Sequence, residues 1–123
     1  MTLVKNGSGT QRIGGASLQG TITVNGGRLL FTGNADLATN TATVNAGGTI
    51  GGGGSFGGSI LVNAGGTLQP GNDNQNPLNL YGDLTLLGNA EMEVSTDGGI
   101  VNDMVADINN LTYGGTLTLI NIG

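Results

Sequence analysis

Two glutamates, Glu91 and Glu93, come closest in this sequence to the type and spacing of a catalytic carboxylate pair. They stand two residues apart in an alternating segment, which would place both on one strand face with their Cα atoms about 7 Å apart. Glycoside hydrolases use two carboxylates as acid and as base or nucleophile. Because the apolar residues Ala90, Met92 and Val94 alternate with the glutamates, however, the pattern favours a solvent-facing strand surface.

Three aspartates in the C-terminal third, Asp97, Asp103 and Asp107, have the oxygen ligands that calcium prefers. The sequence has neither an EF-hand loop nor a Gly-Gly-x-Gly-x-Asp repeat, so solvated turn carboxylates are the favoured interpretation. The chain contains no histidine and no cysteine. This excludes Ser-His-Asp triads, His- or Cys-based metal sites and disulfides. The sequence therefore predicts no enzyme, no metal and no cofactor.

The pattern Gly-x-Gly-x-x-Gly, typical of dinucleotide-binding proteins, is satisfied by Gly52, Gly54 and Gly57. In those proteins a helix must follow the motif within a strand–helix–strand unit. Here residues 58–62 read Gly-Ser-Ile-Leu-Val and continue as a strand. The glycines are therefore interpreted as a corner between strands.

Composition indicates an all-β protein. Of the 123 residues, 37% are hydrophobic and 9% charged, which disfavours disorder because disordered chains combine low hydrophobicity with high charge. Glycine, threonine and asparagine are abundant and form helices poorly. The net charge is -5, and the three basic residues, Lys5, Arg12 and Arg28, form no cluster that would bind phosphates or anionic lipid. No apolar run is long enough for a membrane helix. Nucleic-acid binding and membrane insertion of this segment are therefore not expected.

One phrase, a short alternating strand that ends in asparagine and glycine, occurs three times, at residues 22–27, 42–48 and 60–66. The copies follow one another at intervals of 20 and 18 residues. A unit this small cannot bury its own apolar face, so the repeat predicts a stacked solenoid. Each coil of chain, called a rung below, has room for three short strands and three tight corners, and successive rungs would pair in parallel.

Each copy contributes one valine to the predicted core and one asparagine to the predicted outer face. The predicted valine column is Val24, Val44 and Val62. The predicted asparagine ladder is Asn25, Asn45 and Asn63. Identical side chains at stacked positions can join their amides along the stack. These six residues are the structural ladder of the predicted fold.

The phrase stops at Pro70, which divides the chain into three parts. Residues 1–70 are predicted to form rungs with glycine-rich corners, and residues 71–77 a polar loop. Residues 78–123 carry fewer glycines and larger apolar residues, and form either further rungs or antiparallel hairpins that cap the solenoid. Within this part the alternation predicts that Met104, Ala106 and Ile108 lie on one face and that Asp103, Val105 and Asp107 lie on the other, outward face.

The whole chain resembles the passenger domain of bacterial autotransporters. Residues 3–10, Leu-Val-Lys-Asn-Gly-Ser-Gly-Thr, and residues 20–29, Gly-Thr-Ile-Thr-Val-Asn-Gly-Gly-Arg-Leu, resemble the passenger-associated repeat. Residues 47–58 and 64–72 resemble the closing rungs of that family. The segments Tyr-Gly-Asp-Leu-Thr-Leu and Gly-Gly-Thr-Leu-Thr-Leu, which begin at Tyr81 and Gly114, resemble the part between those rungs and the membrane barrel.

This resemblance implies a right-handed parallel β-helix with a C-terminal β cap. It further implies export across the outer membrane through the protein's own translocator barrel, to the bacterial cell surface or into the medium. The expected function is a non-enzymatic stem whose C-terminal, autochaperone-like part folds first and promotes folding of the rest. Its expected partners are that barrel and the rest of the passenger chain. The alternative is an adhesin-type module, associated with virulence, that binds a host glycan, matrix or another copy of itself.

Overall fold

The computed structural model describes residues 2–14, 20–32, 34–35, 41–71, 77–95 and 101–121. Every regular element within these ranges is a strand. In chain order they are β1 (Thr2–Lys5), β2 (Thr10–Ile13), β3 (Thr21–Val24), β4 (Gly27–Phe31), β5 (Asn34–Ala35), β6 (Thr41–Val44), β7 (Gly48–Gly52), β8 (Ser55–Val62), β9 (Thr67–Pro70), β10 (Leu78–Leu86), β11 (Asn89–Ser95), β12 (Val101–Asn102), β13 (Val105–Ala106), β14 (Leu111–Tyr113) and β15 (Thr116–Asn121). Most of the predicted 71–77 loop lies outside the described residues, as does Asp97.

The strands form two sheets that the chain enters alternately. One is an 8-stranded sheet in the order β1-β3-β6-β8-β10-β13, with β5 against β8 and β14 against β10. The other is a 7-stranded sheet in the order β12-β11-β9-β7-β4-β2, with β15 against β11. Among the described strands all pairings are parallel except that of β11 with β12. The predicted all-β parallel solenoid is confirmed.

Two long strands, β8 and β10, each run along two faces of the solenoid. The first residues of β8 pair with β5 (Ser55 opposite Asn34), and its later residues pair with β6 (Ser59 opposite Thr41). In the same way β10 pairs first with β13 and then with β14. A rung in this part of the molecule therefore contains three strand segments, in agreement with the length of the repeat.

The core lies between the two sheets and is built from columns of stacked apolar residues. Successive strands are in register, so that Val24 lies opposite Val44 and Val44 opposite Val62. Alternate residues such as Thr41 point to solvent, as the pleat of a strand requires. The buried cluster is Ile22, Val24, Leu29, Phe31, Ala42, Val44, Ile50, Phe56, Ile60, Val62, Leu68, Leu78, Leu80, Leu84, Leu86 and Ala90.

At one corner the rungs stack too closely to admit a side chain. A Cβ atom added to Gly48 would lie 2.5 Å from the carbonyl oxygen of Val24, and one added to Gly66 would lie 2.9 Å from that of Val44. Real Cβ contacts are not this short, so the residue that starts each new face must be glycine unless the backbone moves. The repeated glycines of the phrase thus have a steric cause.

The C-terminal part combines both of the arrangements predicted for it. Strands β10, β11, β14 and β15 continue the parallel stack, with Leu84 opposite Leu111 and Ala90 opposite Leu117. The short strand β12 folds back on the end of β11 as an antiparallel pair. Further rungs therefore dominate, with one small hairpin added.

The predicted alternation of residues 103–108 is wrong. Asp103 is buried, with 7% of its surface exposed, whereas Met104 is 47% exposed. Ile108 packs against the core as predicted, but so does Val105. Strand β13 is two residues long and Asp107 has a φ of 59°, so regular alternation is not sustained in this segment. The side chain of Asp103 instead accepts a hydrogen bond from Glu93 N–H in the second half of β11.

Candidate functional site

The asparagines of the repeated phrase form a continuous hydrogen-bonded ladder. Asn45 Nδ2 donates to Asn25 Oδ1 at 2.8 Å, and Asn63 Nδ2 donates to Asn45 Oδ1 at 2.9 Å. The ladder has a further member that the sequence analysis missed, since Asn25 Nδ2 donates to Asn6 Oδ1 at 3.0 Å. The signal for it was present, because Asn6 also follows a short strand and precedes glycine. Residues 2–7 are therefore a further copy of the phrase, which was not recognised because Lys5 stands where the other copies have valine.

Each asparagine of the predicted ladder directly follows the valine that ends β3, β6 or β8, so the asparagine ladder and the valine column run side by side through the stack. Val24, Val44 and Val62 have no exposed surface. The backbone continues the pattern, with Asn45 N–H donating to Val24 O and Asn63 N–H to Val44 O, both at 2.9 Å. A shift of the strand register by one residue would turn the valines outward and would also break the amide ladder. This pair of columns therefore fixes the register of the stack.

Beyond Asn63 the ladder is replaced by unrelated polar pairs. Gln69 Nε2 donates to Glu91 Oε2 at 2.5 Å. Asn110 Nδ2 donates to Asp83 Oδ1 at 3.1 Å, and Thr118 Oγ1 donates to Asn89 Oδ1 at 2.9 Å. Each of these pairs joins two neighbouring rungs. The C-terminal rungs are therefore cross-linked pair by pair along their outer faces.

The corner of β10 contains a strained backbone. Tyr81 has a φ of 61° and Asp107 a φ of 59°, a region that non-glycine residues rarely occupy. The two stack at the same corner, where Tyr81 N–H donates to Asp107 O at 3.0 Å and Asn109 N–H donates to Gly82 O at 2.8 Å. The neighbouring rung has Gly58 opposite Tyr81. The same corner position is therefore occupied by Gly58 in one rung and by Tyr81 and Asp107 in the next two rungs.

A polar cleft of about 330 Å³ lies on the outer side of the second sheet. Its lining residues are Arg28, Gln69, Pro70, Glu91, Glu93, Asp103 and Ile120. The two predicted glutamates thus share one cleft on the outer face of β11, where both are half-buried.

The electrostatics of the cleft centre on Asp103. Burial raises the pKa of the Asp103 carboxyl above the ordinary aspartate value, and the hydrogen bond from Glu93 N–H, 2.7 Å long, acts in the opposite direction. The Glu91 carboxylate is already engaged by Gln69 and by Asn89 Nδ2, the latter at 3.4 Å. Arg28 also lines the cleft, and its Nε atom is buried and makes no hydrogen bond within the described structure.

This arrangement joins rungs and presents a small polar recess to solvent. Among the residues that the structure describes, no group of three or more acidic side chains could hold a metal ion. The described part of the chain also has no helix long and apolar enough to cross a membrane.

Comparison with known proteins identifies one relevant curated protein. A stretch of 68 residues, 54% of this chain, is 44% identical to the adhesin BmaC autotransporter of Brucella suis biovar 1 (strain 1330). The chain spans 2% of the length of that relative. No family model matches the sequence, and no solved structure matches it. The match to an autotransporter and the parallel solenoid together confirm that this chain resembles a segment of an autotransporter passenger.

Proposed function

We propose that this chain is a non-enzymatic structural segment of an exported passenger, forming part of its β-helix stem, and that residues 78–123 promote folding of the rungs before them. The observation that carries the proposal is the parallel pairing of strands in successive rungs, which runs from β1 through β3, β6, β8 and β10 to β14. Such a stack offers each new rung two strand edges and an open core. The similarity to an autotransporter adhesin supports a location at the bacterial surface or in the medium.

A non-enzymatic role is supported by the hydrogen bonds that the candidate catalytic carboxylates already accept within the protein. The Glu91 carboxylate accepts hydrogen bonds from two amide side chains. The Asp103 carboxylate is committed to the backbone of Glu93. A catalytic pair needs one carboxyl group free to donate a proton to substrate and another free to attack or accept.

A folding role of the C-terminal rungs is supported by the packing of β10. Its side chains Leu84 and Leu86 are buried on Ile60 and Val62 of the preceding rung. Each fully buried side chain of this size stabilises the folded state by about 1.5–3 kcal/mol. The same strand also pairs with β13 and β14 on its other edge. Strand β10 is therefore held in place by β13 and β14 on one edge, and its other edge can act as a template on which the rung of β8 and β9 forms.

Two truncations of opposite ends test this proposal. Deletion of residues 78–123 should leave a fragment without a cooperative thermal transition, whereas the matched deletion of residues 1–19 should leave one that still folds. In the parent passenger the first deletion should reduce surface display and the second should not. Cooperative folding and normal display of the fragment that lacks residues 78–123 would contradict the folding role.

The polar cleft favours a second candidate function, an adhesin-type module that binds a host glycan, matrix or another copy. A cleft of about 330 Å³ with a buried guanidinium nitrogen and several carboxylates matches the hydroxyl-rich surface of a glycan in polarity. Replacing Arg28 by Met and Glu93 by Gln in the intact passenger, followed by adhesion and aggregation assays, separates the two roles. Adhesion lost with display intact would favour binding, and unchanged adhesion would favour the stem.

A further inference from the structure

The polar cleft on the second sheet does not depend on where the stack begins or ends. Arg28 lies on β4, between β2 and β7, and Gln69 lies on β9, between β7 and β11. Glu91 and Glu93 lie on β11, between β9 and β15. These side chains alternate with the core residues of their strands, so they face outward from the sheet. Further rungs stacked on β2 or on β15 would therefore leave the cleft accessible from the side.

Two polar groups of the cleft have no partner within the described structure. The buried Nε atom of Arg28 makes no hydrogen bond there. The Glu93 carboxylate makes none to any described residue, although the N–H and the C=O of Glu93 both bond to Asp103. The other two acidic side chains are already engaged, Glu91 by two amide side chains and Asp103 by Glu93 N–H. One donor and one acceptor are thus left for a ligand.

The charges of the cleft favour a ligand that is itself uncharged. Of the lining residues, Arg28 is basic, whereas Glu91, Glu93 and Asp103 are acidic. An anionic ligand would bring a further negative charge to three carboxylates, and a cationic amine or guanidinium group has no acceptor for Arg28. A hydroxyl group both donates and accepts a hydrogen bond and carries no charge. Two hydroxyls of one molecule can therefore accept from Arg28 and donate to Glu93.

The apolar lining and the size of the cleft restrict the ligand further. Pro70 and Ile120 line the same cleft, and Ile120 is 39% exposed. The C–H groups on one face of a sugar ring can pack against such residues while its hydroxyls reach polar ones. The volume of about 330 Å³ lies at the lower end of the range for ligand sites, which is about 300–1,000 Å³. A terminal sugar of a glycan fits this space better than an extended chain does.

We propose that this cleft binds one uncharged sugar unit, with Arg28 donating to a hydroxyl oxygen and the Glu93 carboxylate accepting from a hydroxyl of the same ring. The inference rests on the second function proposed above, the adhesin-type module, and names the class of ligand for it. It does not depend on the folding role of residues 78–123.

NMR titration of the isotope-labelled 123-residue chain tests the proposal. The probes are the methyl glycosides of galactose, mannose and N-acetylglucosamine, with glucuronic acid, glucosamine and the zwitterion glycylglycine as charged counterparts. At least one uncharged sugar should shift the amide resonances of Gln69, Glu91 and Glu93 in a saturable way, with a dissociation constant on the order of millimolar. The resonances of Asn25 and Asn45, on the other sheet, should not move. Each charged probe should bind about tenfold more weakly.

Matched variants then assign the binding to the two groups. Arg28→Met and Glu93→Gln should each weaken binding of the sugar about tenfold, because each removes a charge-assisted hydrogen bond. The control Arg12→Met removes a basic residue that does not line the cleft and should leave the affinity unchanged. Thermal unfolding shows whether each variant is folded. If a variant is unfolded, the map of shifted resonances in the unmodified chain decides the question alone.

Three outcomes would overturn the proposal: no uncharged sugar shifts the cleft resonances, a charged probe binds more tightly than every uncharged one, or folded Arg28→Met and Glu93→Gln variants bind as well as the unmodified chain. Adhesion of the intact passenger separates this result from the adhesin function. Sugar binding by the chain together with normal adhesion of the two variants supports the site and counts against the adhesin role. Adhesion lost in the variants without any sugar binding supports the adhesin role and overturns the assigned ligand class.

Discussion

The rungs before Gly71 and the rungs after Pro77 share one backbone path but are held together by different contacts. The earlier rungs repeat one solution, a buried valine beneath an asparagine ladder with glycine at the corner. The later rungs use larger core residues, individual polar pairs and corners with positive φ at Tyr81 and Asp107. This difference indicates that stacking requires aligned strands and closely spaced corners in successive rungs. Different side chains can meet both requirements.

A charge in the valine column would break the earlier rungs most severely. Val44→Asp buries a carboxylate at a position with no exposed surface, and we expect a loss of more than about 4 kcal/mol in the free energy of unfolding. The matched control Thr41→Asp lies on the exposed face of the same strand and should change little. Chemical denaturation followed by circular dichroism measures both, and equal stability of the two variants would show that the register is wrong.

A methyl group at a close corner should have the next largest effect. In Gly66→Ala the new Cβ would lie 2.9 Å from Val44 O, and relieving this contact should cost about 1–3 kcal/mol. The control is Gly9→Ala, since an added Cβ at Gly9 meets nothing within 4 Å. Thermal melting curves of the two variants give the comparison. A Gly66→Ala protein as stable as the control would remove the steric explanation of the repeat.

An interruption in the asparagine ladder should cost less. Asn45→Ala removes two side-chain hydrogen bonds and Asn63→Ala removes one. Net contributions of about 0.5–1.5 kcal/mol per bond predict that the first variant loses about twice as much stability as the second. Denaturant titration of both tests this ratio. Equal losses would indicate that the amides do not act as a ladder.

The smallest effect should come from the buried carboxyl of the later rungs. Because burial raises the pKa of Asp103 above its unfolded value, the folded protein binds more protons, and its stability falls as the pH rises through the interval between those two values. Asp103→Asn retains an acceptor for Glu93 N–H and removes this pH dependence. Near pH 7 the variant should therefore melt at a higher temperature than the parent, and the difference should shrink towards pH 3. A lower melting temperature near pH 7 would contradict this interpretation.

The repeated phrase allowed the earlier rungs to be predicted in detail, because alternation and a shared Asn-Gly ending together fix which face each residue occupies. Val24, Val44 and Val62 could be aligned without any knowledge of the corners. The cleft could not be predicted in the same way. The antiparallel strand β12, which precedes Asp103, is two residues long, and Asp103 is placed by hydrogen bonds with the backbone of Glu93 and not by periodicity. Short elements carry too few residues for a pattern to indicate their faces.

The comparison between the two halves also predicts an order of folding. If residues 78–123 supply the template, strand pairs made by β10 and β11 should form before those among β1, β3 and β6. The reporters are backbone amides with partners in neighbouring rungs: Leu84 N–H to Asn110 O and Asn89 N–H to Gly66 O in the later rungs, and Asn25 N–H to Lys5 O in the earlier ones.

Pulse-labelling hydrogen exchange during refolding tests this central claim most directly. We expect the amides of Leu84 and Asn89 to become protected first and those of Asn25 and Asn45 later. Protection of Asn25 and Asn45 before Leu84 and Asn89, or of all four at the same rate, would contradict a templating role for the C-terminal rungs.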